Sequence, residues 1–180
     1  MKKKVLIVID YQKDFVMGSL GFTEAKELDS VICKKIKSYK NHQVFYTLDT
    51  HDEDYLESLE GDSLPIEHCI KGTEGHKVYG NTKICLNEVG AQPLEKRSFG
   101  IHPQELHEQC FDFYEDELES IELVGVVTNI CVISNAIVLK TLYPEVPIFV
   151  DASACASPDP ALHEKALDVL AGLHVNVINR

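Results

Sequence analysis

The sequence predicts an α/β protein in which helices cover both faces of a mostly parallel sheet. Short apolar runs alternate with helical patterns along the chain, an order that is typical of such sheets. The runs are continuously apolar, which indicates strands that are buried on both faces. Acidic, basic and sulfur-bearing residues directly follow several of these runs, and sheets of this kind bind ligands beyond the carboxyl ends of their strands.

The first half of the chain contains two predicted strands. Residues 5–9 read VLIVI and predict the first, and residues 44–48 read VFYTL and predict the second. Between them, residues 24–39 carry apolar side chains at the helical period and predict a helix. Residues 50–80 are polar and irregular, and a connection of that length in a compact domain is usually a functional loop or a lid.

The second half of the chain continues the alternation. Residues 94–97 predict a short third strand, and residues 120–127, which read SIELVGVV, predict a fourth. We expect residues 1–180 to form one domain, with residues 50–80 as a metal-binding loop or lid. The remaining predicted elements are a helix over 130–142, a strand over 146–150, a helix over 160–171 and a strand over 175–178.

Composition and charge exclude several classes of protein. The 180 residues carry 17 Lys and Arg against 29 Asp and Glu, a net charge of −12, which argues against a nucleic-acid binder. No apolar run approaches the roughly 20 residues of a membrane span. The apolar run after the N-terminal lysines is short and is followed directly by Asp10, with no small-residue cleavage site. We therefore do not expect this run to be a secretory signal. Six cysteines are too few for a disulfide scaffold, so we expect reduced thiols and a cytoplasmic location.

Cys131 is the candidate nucleophile. It lies at the first turn of a predicted helix, after a strand and the cap-type residues Thr128 and Asn129. The positive potential of a helix N-terminus, together with a nearby lysine, predicts a thiol pKa lowered to roughly 3.5–7.5. The alternative is a small buried side chain, since free cysteine is often buried. We expect the other cysteines to be structural: Cys33, Cys69, Cys85, Cys110 and Cys155.

Asp10 and Lys96 are the candidate partners of this thiol. Asp10 follows the first strand, where an uncompensated charge would be costly, and it could take the thiol proton as a general base. Lys96, in the third predicted strand, would pair with Asp10 and favour the thiolate. The alternatives are a turn or cap residue for Asp10 and a solvated lysine for Lys96.

A second group of residues has the composition of a metal site. Asp49 and His51 follow the second strand and point to the same side of an extended segment, and His68 lies further along the loop. Two imidazoles and one carboxylate bind zinc, iron or manganese and leave positions open for water or substrate. Glu60 is our candidate for a further ligand. The alternative is a loop of solvated acids. Rival acids in the same loop are Asp52, Asp54 and Glu57.

Together, these segments resemble the isochorismatase-like cysteine hydrolases, and within them the nicotinamidase/pyrazinamidase branch. The matching segments, in the family's order, are VLIVIDYQKDF, TLDTH, LPIEHCIKGTEG, EKRSF, GVVTNICVISNA and DASACASPD. The resemblance implies a three-layer α/β/α sandwich with sheet order 3-2-1-4-5-6. It also implies a catalytic triad of Asp10, Lys96 and Cys131. A cis peptide bond between Val126 and Val127 is implied too, with an oxyanion hole formed by the backbone N–H groups of Val127 and Cys131.

The nicotinamidase branch implies one divalent transition metal, zinc or else iron or manganese, that holds the pyridine nitrogen of the substrate. The branch often carries a Trp shortly before the second metal histidine, but this sequence has no Trp, and residues 65–67 read PIE. Phe15 and Phe99 are then the expected pocket aromatics. The implied ligand set is Asp49, His51 and His68, with Glu60 as the fourth member.

We therefore expect a metal-dependent cysteine amidohydrolase that converts nicotinamide to nicotinate and ammonia through a thioester, in NAD salvage. Three alternatives remain open: a related hydrolase of another small amide or ureido compound, a non-haem iron oxygenase, and a non-catalytic binding member of the fold. The expected partners are a small amide substrate and further copies of the chain in a dimer or tetramer. No nucleic-acid or membrane partner is expected.

Overall fold

The computed structural model describes residues 2–39, 43–109 and 111–180, and a parallel sheet forms its centre. The strands are β1 (Lys3–Ile9), β2 (Gln43–Asp49), β3 (Gln92–Lys96), β4 (Leu118–Val126), β5 (Ile148–Ala156) and β6 (Asn176–Ile178). They pair in the order β3-β2-β1-β4-β5-β6, which confirms the α/β class and the expected strand order. The order reverses between β1 and β4, so the carboxyl ends of these two strands form the point at which such sheets bind ligands.

Helices cover both faces of the sheet. They are α1 (Lys13–Val16), α2 (Thr23–Ser38), α3 (Leu59–Ser63), α4 (Gly80–Val89), α5 (Pro103–Glu108), α6 (Ile133–Leu142) and α7 (Pro160–Gly172). Strand β1 serves both layers because successive side chains point to opposite faces. Leu6 and Val8 belong to the core shared with α2 and α4, whereas Ile7 and Ile9 belong to the core shared with α5, α6 and α7. None of the helices in the described part of the chain combines the length and apolar character that a bilayer crossing needs.

Several elements differ from the sequence prediction, among them α4, β5 and the start of α6. Helix α4 was not predicted, because only Thr82, Cys85 and Leu86 of its ten residues are buried and the apolar period is weak. Strand β5 extends to Ala156, whereas the predicted strand ends at residue 150. The prediction stops there because the small residues of DASACA do not read as an apolar run. The helix predicted from residue 130 begins instead with a π-helical turn over Thr128–Val132, and α6 follows it.

Cys33 in α2 and Cys85 in α4 are joined by a disulfide, with their Cα atoms 5.7 Å apart. This separation lies within the range that disulfides require. The expectation of reduced thiols is therefore wrong for this pair. Sequence spacing offers no sign of the bond, because 52 residues separate the two cysteines. Cys69, Cys131 and Cys155 are free and buried. Cys110 lies outside the described residues.

The carboxyl ends of the central strands meet at one edge of the sheet. Strand β1 ends directly before Asp10, β2 ends at Asp49 and β3 ends at Lys96. Asp49 and Lys96 are direct partners in the sheet. Strand β4 ends at Val126, and the π-helical turn then leads to Cys131. The parallel topology therefore brings an acid, a second acid, a cation and a thiol to the same edge.

Candidate active site

Lys96 lies between two buried carboxylates. Its Nζ atom is 2.8 Å from Asp10 Oδ2 and 3.0 Å from Asp49 Oδ1. The side chains of Lys96 and Asp10 are both fully buried. Thr47 fixes the acid, because its hydroxyl donates to Asp10 Oδ1 at 2.6 Å and accepts from the Asp10 N–H at 3.0 Å. The structure thus places Lys96 beside Asp10 and adds Asp49 as a second anionic partner.

Cys131 lies against this cluster. Its Sγ atom is 3.8 Å from Lys96 Nζ, and only 4% of the residue is exposed. The peptide bond between Val126 and Val127 is cis, at the position that the resemblance implied. Asn135 Nδ2 donates to the Cys131 carbonyl oxygen at 2.8 Å and holds the π-helical turn against α6. A thiol, a cation and a carboxylate therefore share one buried site.

The pKa of the Cys131 thiol lies well above its ordinary value, in the direction opposite to the predicted lowering. Burial is the largest cause, and the carboxylates of Asp10 and Asp49 add to it, whereas Lys96 acts against it. The prediction rested on the helix N-terminus and the lysine, and it included neither burial nor the two carboxylates. The resting thiol is therefore protonated, and an attack by its sulfur needs a base.

The pKa values of the two acids in the cluster shift in opposite directions. Burial raises the pKa of Asp10 and the charge of Asp49 raises it further, while Lys96 limits the shift. Burial would also raise the pKa of Asp49, but Lys96 and the two neighbouring imidazoles outweigh it and lower this pKa below its usual range. For Lys96, burial is outweighed by the surrounding negative charges, which raise its pKa. Lys96 is therefore a permanent cation beside an ionised Asp49.

Replacing Lys96 by Met should cost about 3–5 kcal/mol of unfolding free energy at pH 7, because it leaves buried carboxylates without their cation. Asp10 would then hold a proton in the folded variant that the unfolded chain releases near pH 4. A group whose pKa is raised in the folded state contributes stability that is fully present below its unfolded pKa. This contribution is lost as the pH rises through the folded-state pKa. The deficit relative to wild type should therefore grow as the pH rises above about 4, which urea denaturation at a series of pH values measures.

Lys71→Met is the matched control for this prediction. Lys71 Nζ pairs with Glu95 at 2.7 Å, but both side chains are about half exposed. Surface pairs of this kind contribute at most about 1 kcal/mol. A Lys96→Met deficit that stayed constant over the same pH range would contradict the described charge coupling.

Asp49, His51 and His68 form a second group at the same edge. Each offers one ligand atom, and these atoms all lie within 4.8 Å of one another. Asp49 Oδ2 lies 3.1 Å from His51 Nε2 and 3.6 Å from His68 Nε2, while its other oxygen faces Lys96. Glu60 Oε1 is 3.9 Å from both imidazole nitrogens. Nitrogen and oxygen donors in this number suit zinc, iron or manganese, so the residues present fit a metal ion.

Backbone contacts orient these donors. His68 Nδ1 donates to the Ile66 carbonyl oxygen at 2.8 Å, which leaves Nε2 unprotonated in the neutral ring and available to a metal. The Gln12 side chain binds the backbone of Asp49 twice, accepting from its N–H at 2.8 Å and donating to its carbonyl at 2.9 Å. Gln12 is fully buried, and nothing in the sequence marks it as a site residue beyond its position after β1.

Glu60 reaches the group because it lies in α3, directly after the N-cap residue Ser58. The Ser58 hydroxyl caps the helix by accepting from the Gly61 N–H at 3.0 Å, and Glu60 lies in the first turn. Asp52 is exposed and contacts Arg97 instead. The other rival acids, Asp54 and Glu57, are also exposed. Among the loop acids, Glu60 is therefore the one that lies beside both imidazoles.

A cavity of about 310 Å³ opens between the two groups. Asp49, Glu60 and His68 line it together with Cys131, so the thiol and the metal-type donors face the same space. This volume lies near the lower end of the range for small-molecule sites, about 300–1,000 Å³. The cavity therefore suits a small ligand that touches both groups at once.

Apolar side chains form much of the cavity wall. Phe15 and Phe99 both line it, and the Phe15 ring lies 5.5 Å from the His68 ring. The structure therefore places both expected aromatics at the cavity. Leu64 lines the wall in the segment that precedes His68. Other lining residues, none of them expected in the pocket from the sequence, are Leu20, Leu162, Asn129 and Ser157.

A family model described as the isochorismatase domain matches residues 4–180. The chain belongs to the isochorismatase family. An uncharacterized isochorismatase family protein, PncA of Bacillus subtilis strain 168, is 31% identical over 144 residues, which cover 75% of this chain and 77% of that protein. Two solved structures show the same architecture, so the family resemblance inferred from the sequence motifs is confirmed.

The first is the crystal structure of nicotinamidase/pyrazinamidase PncA from Bacillus subtilis. It is 25% identical, with a TM-score of 0.81 over 97% of this chain and 98% of its own. The second is the pyrazinamidase/nicotinamidase of Streptococcus mutans UA159. It is 29% identical, with a TM-score of 0.81 over 98% of this chain and 100% of its own. This isochorismatase-family chain therefore matches these proteins over nearly its whole length.

Proposed function

We propose that this protein is a metal-dependent cysteine amidohydrolase that converts nicotinamide to nicotinate and ammonia. The observation that carries the proposal is the shared cavity, onto which the Cys131 thiol and the donors Asp49, Glu60 and His68 all open. The two structural neighbours, which are described as nicotinamidases and pyrazinamidases, support the same reaction. A small aromatic amide can touch both groups in a cavity of this size.

Asp10 and Cys131 would perform the first half of the reaction. The resting thiol is protonated, so Asp10 takes its proton while Sγ attacks the carboxamide carbon. Lys96, at 2.8 Å from Asp10, keeps this carboxylate ionised until it accepts the proton. The C–S bond forms, the C–N bond breaks, and the proton passes from Asp10 to the leaving nitrogen, which departs as ammonia.

The second half of the reaction returns the enzyme to its starting state. Asp10 takes a proton from a water molecule as the water oxygen attacks the thioester carbon. The C–S bond breaks, Asp10 returns the proton to the Cys131 sulfur, and the acid product leaves as nicotinate after it releases its remaining proton to solvent. In both halves we propose that the backbone N–H groups of Val127 and Cys131 hold the negative oxygen of the tetrahedral intermediate, because preorganised donors at such a position strongly stabilise it.

We propose that Asp49, His51 and His68 hold one divalent metal, with Glu60 as a further ligand and residues 50–80 as the metal-binding loop. Zinc, iron or manganese would suit this donor set. When bound, the ion supplies a Lewis-acid position for the pyridine nitrogen of the substrate. Phe15 and Phe99 flank the ring, and Asp49 divides its two oxygens between the metal group and Lys96.

One observation favours a second candidate, a hydrolase of another small amide or ureido compound. Leu64 lines the cavity just before His68, and the sequence contains no Trp that could stack on a pyridine ring. The thiol and its partners would act on such a compound in the same way. A non-catalytic binding protein and an oxygenase are less well supported, because neither needs a buried Lys96 in contact with a thiol.

The setting of the reaction is part of the same proposal. We propose that the protein acts in the cytoplasm, as a dimer or tetramer, on a small free amide. Nicotinate is a precursor of nicotinamide nucleotides, so a reaction of NAD salvage that activates a pyridine carboxylate would consume the product.

A comparison of nicotinamide with benzamide tests the proposed function. The two amides have the same size and carboxamide, but benzamide lacks the ring nitrogen. We expect kcat/KM for nicotinamide to exceed that for benzamide by at least about 100-fold, because a site built for a polar group strongly rejects an analogue without it. Ammonia release measures both rates. Equal kcat/KM values would contradict pyridine recognition and favour the general small-amide hydrolase.

A further inference from the structure

Tyr55 contacts both imidazoles of the group formed by Asp49, His51 and His68, although it is not itself a candidate metal ligand. Its ring centroid is 4.6 Å from that of His51 and 4.9 Å from that of His68, and the two imidazoles are themselves 4.8 Å apart. Tyr55 is 2% exposed, so its ring packs against both imidazoles out of contact with solvent. Tilted and edge-on contacts at such distances restrict the orientation of each ring.

The hydroxyl of Tyr55 reaches a different part of the site. It donates to the Leu64 carbonyl oxygen at 2.9 Å, across nine residues of chain. Leu64 is one of the residues that line the cavity. The same carbonyl oxygen also accepts from the Ile66 N–H at 2.7 Å, so the Tyr55 hydroxyl adds a side-chain hydrogen bond to the segment that follows α3.

The backbone of Tyr55 makes a third connection. Its carbonyl oxygen accepts from the Ser58 hydroxyl at 2.7 Å and from the Ser58 N–H at 3.0 Å. Ser58 in turn caps the helix that carries Glu60. A Cβ at Gly61 would collide with the same carbonyl oxygen, so the helix packs tightly on this residue. Ring, hydroxyl and carbonyl of Tyr55 thus each hold a different part of the metal-binding loop.

We propose that Tyr55 is a positioning residue that orients His51 and His68 for the metal and, through a separate hydrogen bond, sets the cavity wall at Leu64. The inference rests on the proposed metal assignment. Its two parts are separable, because the ring acts on the imidazoles and the hydroxyl acts on Leu64. Partners that orient metal ligands typically change metal affinity by about 10–100-fold when they are removed.

Two variants of Tyr55 test this inference, with Tyr39→Phe as the control. Tyr55→Phe keeps the ring and loses the hydroxyl, whereas Tyr55→Leu loses both. Tyr39→Phe also removes a buried hydroxyl, which donates to Glu122 at 2.6 Å and lies outside the cavity. Zn²⁺ affinity is measured by competition with a chromogenic chelator, and steady-state kinetics with nicotinamide gives KM and kcat.

We expect Tyr55→Leu to weaken Zn²⁺ binding by about 10–100-fold. Tyr55→Phe should retain Zn²⁺ affinity within about 3-fold and raise KM by roughly 3–10-fold, the equivalent of one net hydrogen bond. The Tyr39→Phe control should change neither quantity, although it lowers stability. Equal Zn²⁺ affinity of Tyr55→Leu and wild type would overturn the orienting role, and an unchanged KM in Tyr55→Phe would overturn the role at Leu64.

The wild-type protein separates this inference from the proposed function. Zn²⁺ binding without nicotinamide hydrolysis would refute the nicotinamidase assignment, while the affinities of the two Tyr55 variants would still decide the orienting role. Hydrolysis without Zn²⁺ binding would overturn the zinc-binding assignment and, with it, the role of Tyr55.

Discussion

Replacing Cys131 by Ala should lower ammonia release from nicotinamide by at least about 1,000-fold, because the variant lacks the sulfur that forms the thioester. The fold should persist, since the substitution removes one atom from a residue that borders a cavity and the backbone of the turn is unchanged. Rates are measured by ammonia release under saturating nicotinamide, and folding is measured by thermal denaturation. The two measurements together separate loss of chemistry from loss of structure.

Cys155→Ala is the matched control for this experiment. Cys155 is also a free, buried cysteine, but it lies in β5 and does not line the cavity. It should retain wild-type kcat and lose about 1 kcal/mol of stability, as is usual for a small core truncation. Turnover above a few per cent of wild type in folded Cys131→Ala would contradict the thioester mechanism, whatever the metal content of the protein.

The sheet edge is the part of the molecule that the sequence predicts best. Continuous apolar runs locate the buried strands, and parallel pairing then places their carboxyl ends together. The amino-acid sequence alone therefore assigns Asp10, Asp49 and Lys96 to one edge. The strand order itself came from the family resemblance, because hydrophobic periodicity does not state which strands are neighbours.

The charge state of Cys131 is a property that the sequence did not predict correctly. A helix N-terminus and a lysine favour a thiolate, but burial and two carboxylates raise the thiol pKa. Asp49 contributes because it lies beside Lys96 in the sheet as well as beside the imidazoles, and this double role depends on the pairing of β2 with β3. Local sequence cannot reveal a balance among groups that tertiary structure brings together.

Residues that support the site are equally hard to predict. Thr47, Gln12 and Tyr55 hold Asp10, Asp49 and the imidazoles by hydrogen bonds or ring contacts that span up to 37 residues of chain. Each is an ordinary residue of a strand end or loop when it is considered alone. The Cys33–Cys85 disulfide is hard to predict for the same reason. The two cysteines meet only through the packing of α2 against α4, and α4 is a helix with a weak apolar period.

His51→Ala and His68→Ala should each lose most of the bound metal and raise KM for nicotinamide by about 10–100-fold or more, because each removes one of the two imidazoles in the group formed with Asp49. KM for a simple aliphatic amide should change much less, since such a substrate has no ring nitrogen to hold. Metal content by elemental analysis and steady-state kinetics on both amides check this. His107→Ala is the control, because His107 is largely exposed and pairs with Asp112 on the surface.

If the metal instead polarised the carbonyl or activated water, kcat would fall equally for both substrates. That result would assign the metal a role in the chemical step and not in substrate recognition. It would therefore refute the proposed mechanism, in which Asp10 and Cys131 perform the chemistry without the metal.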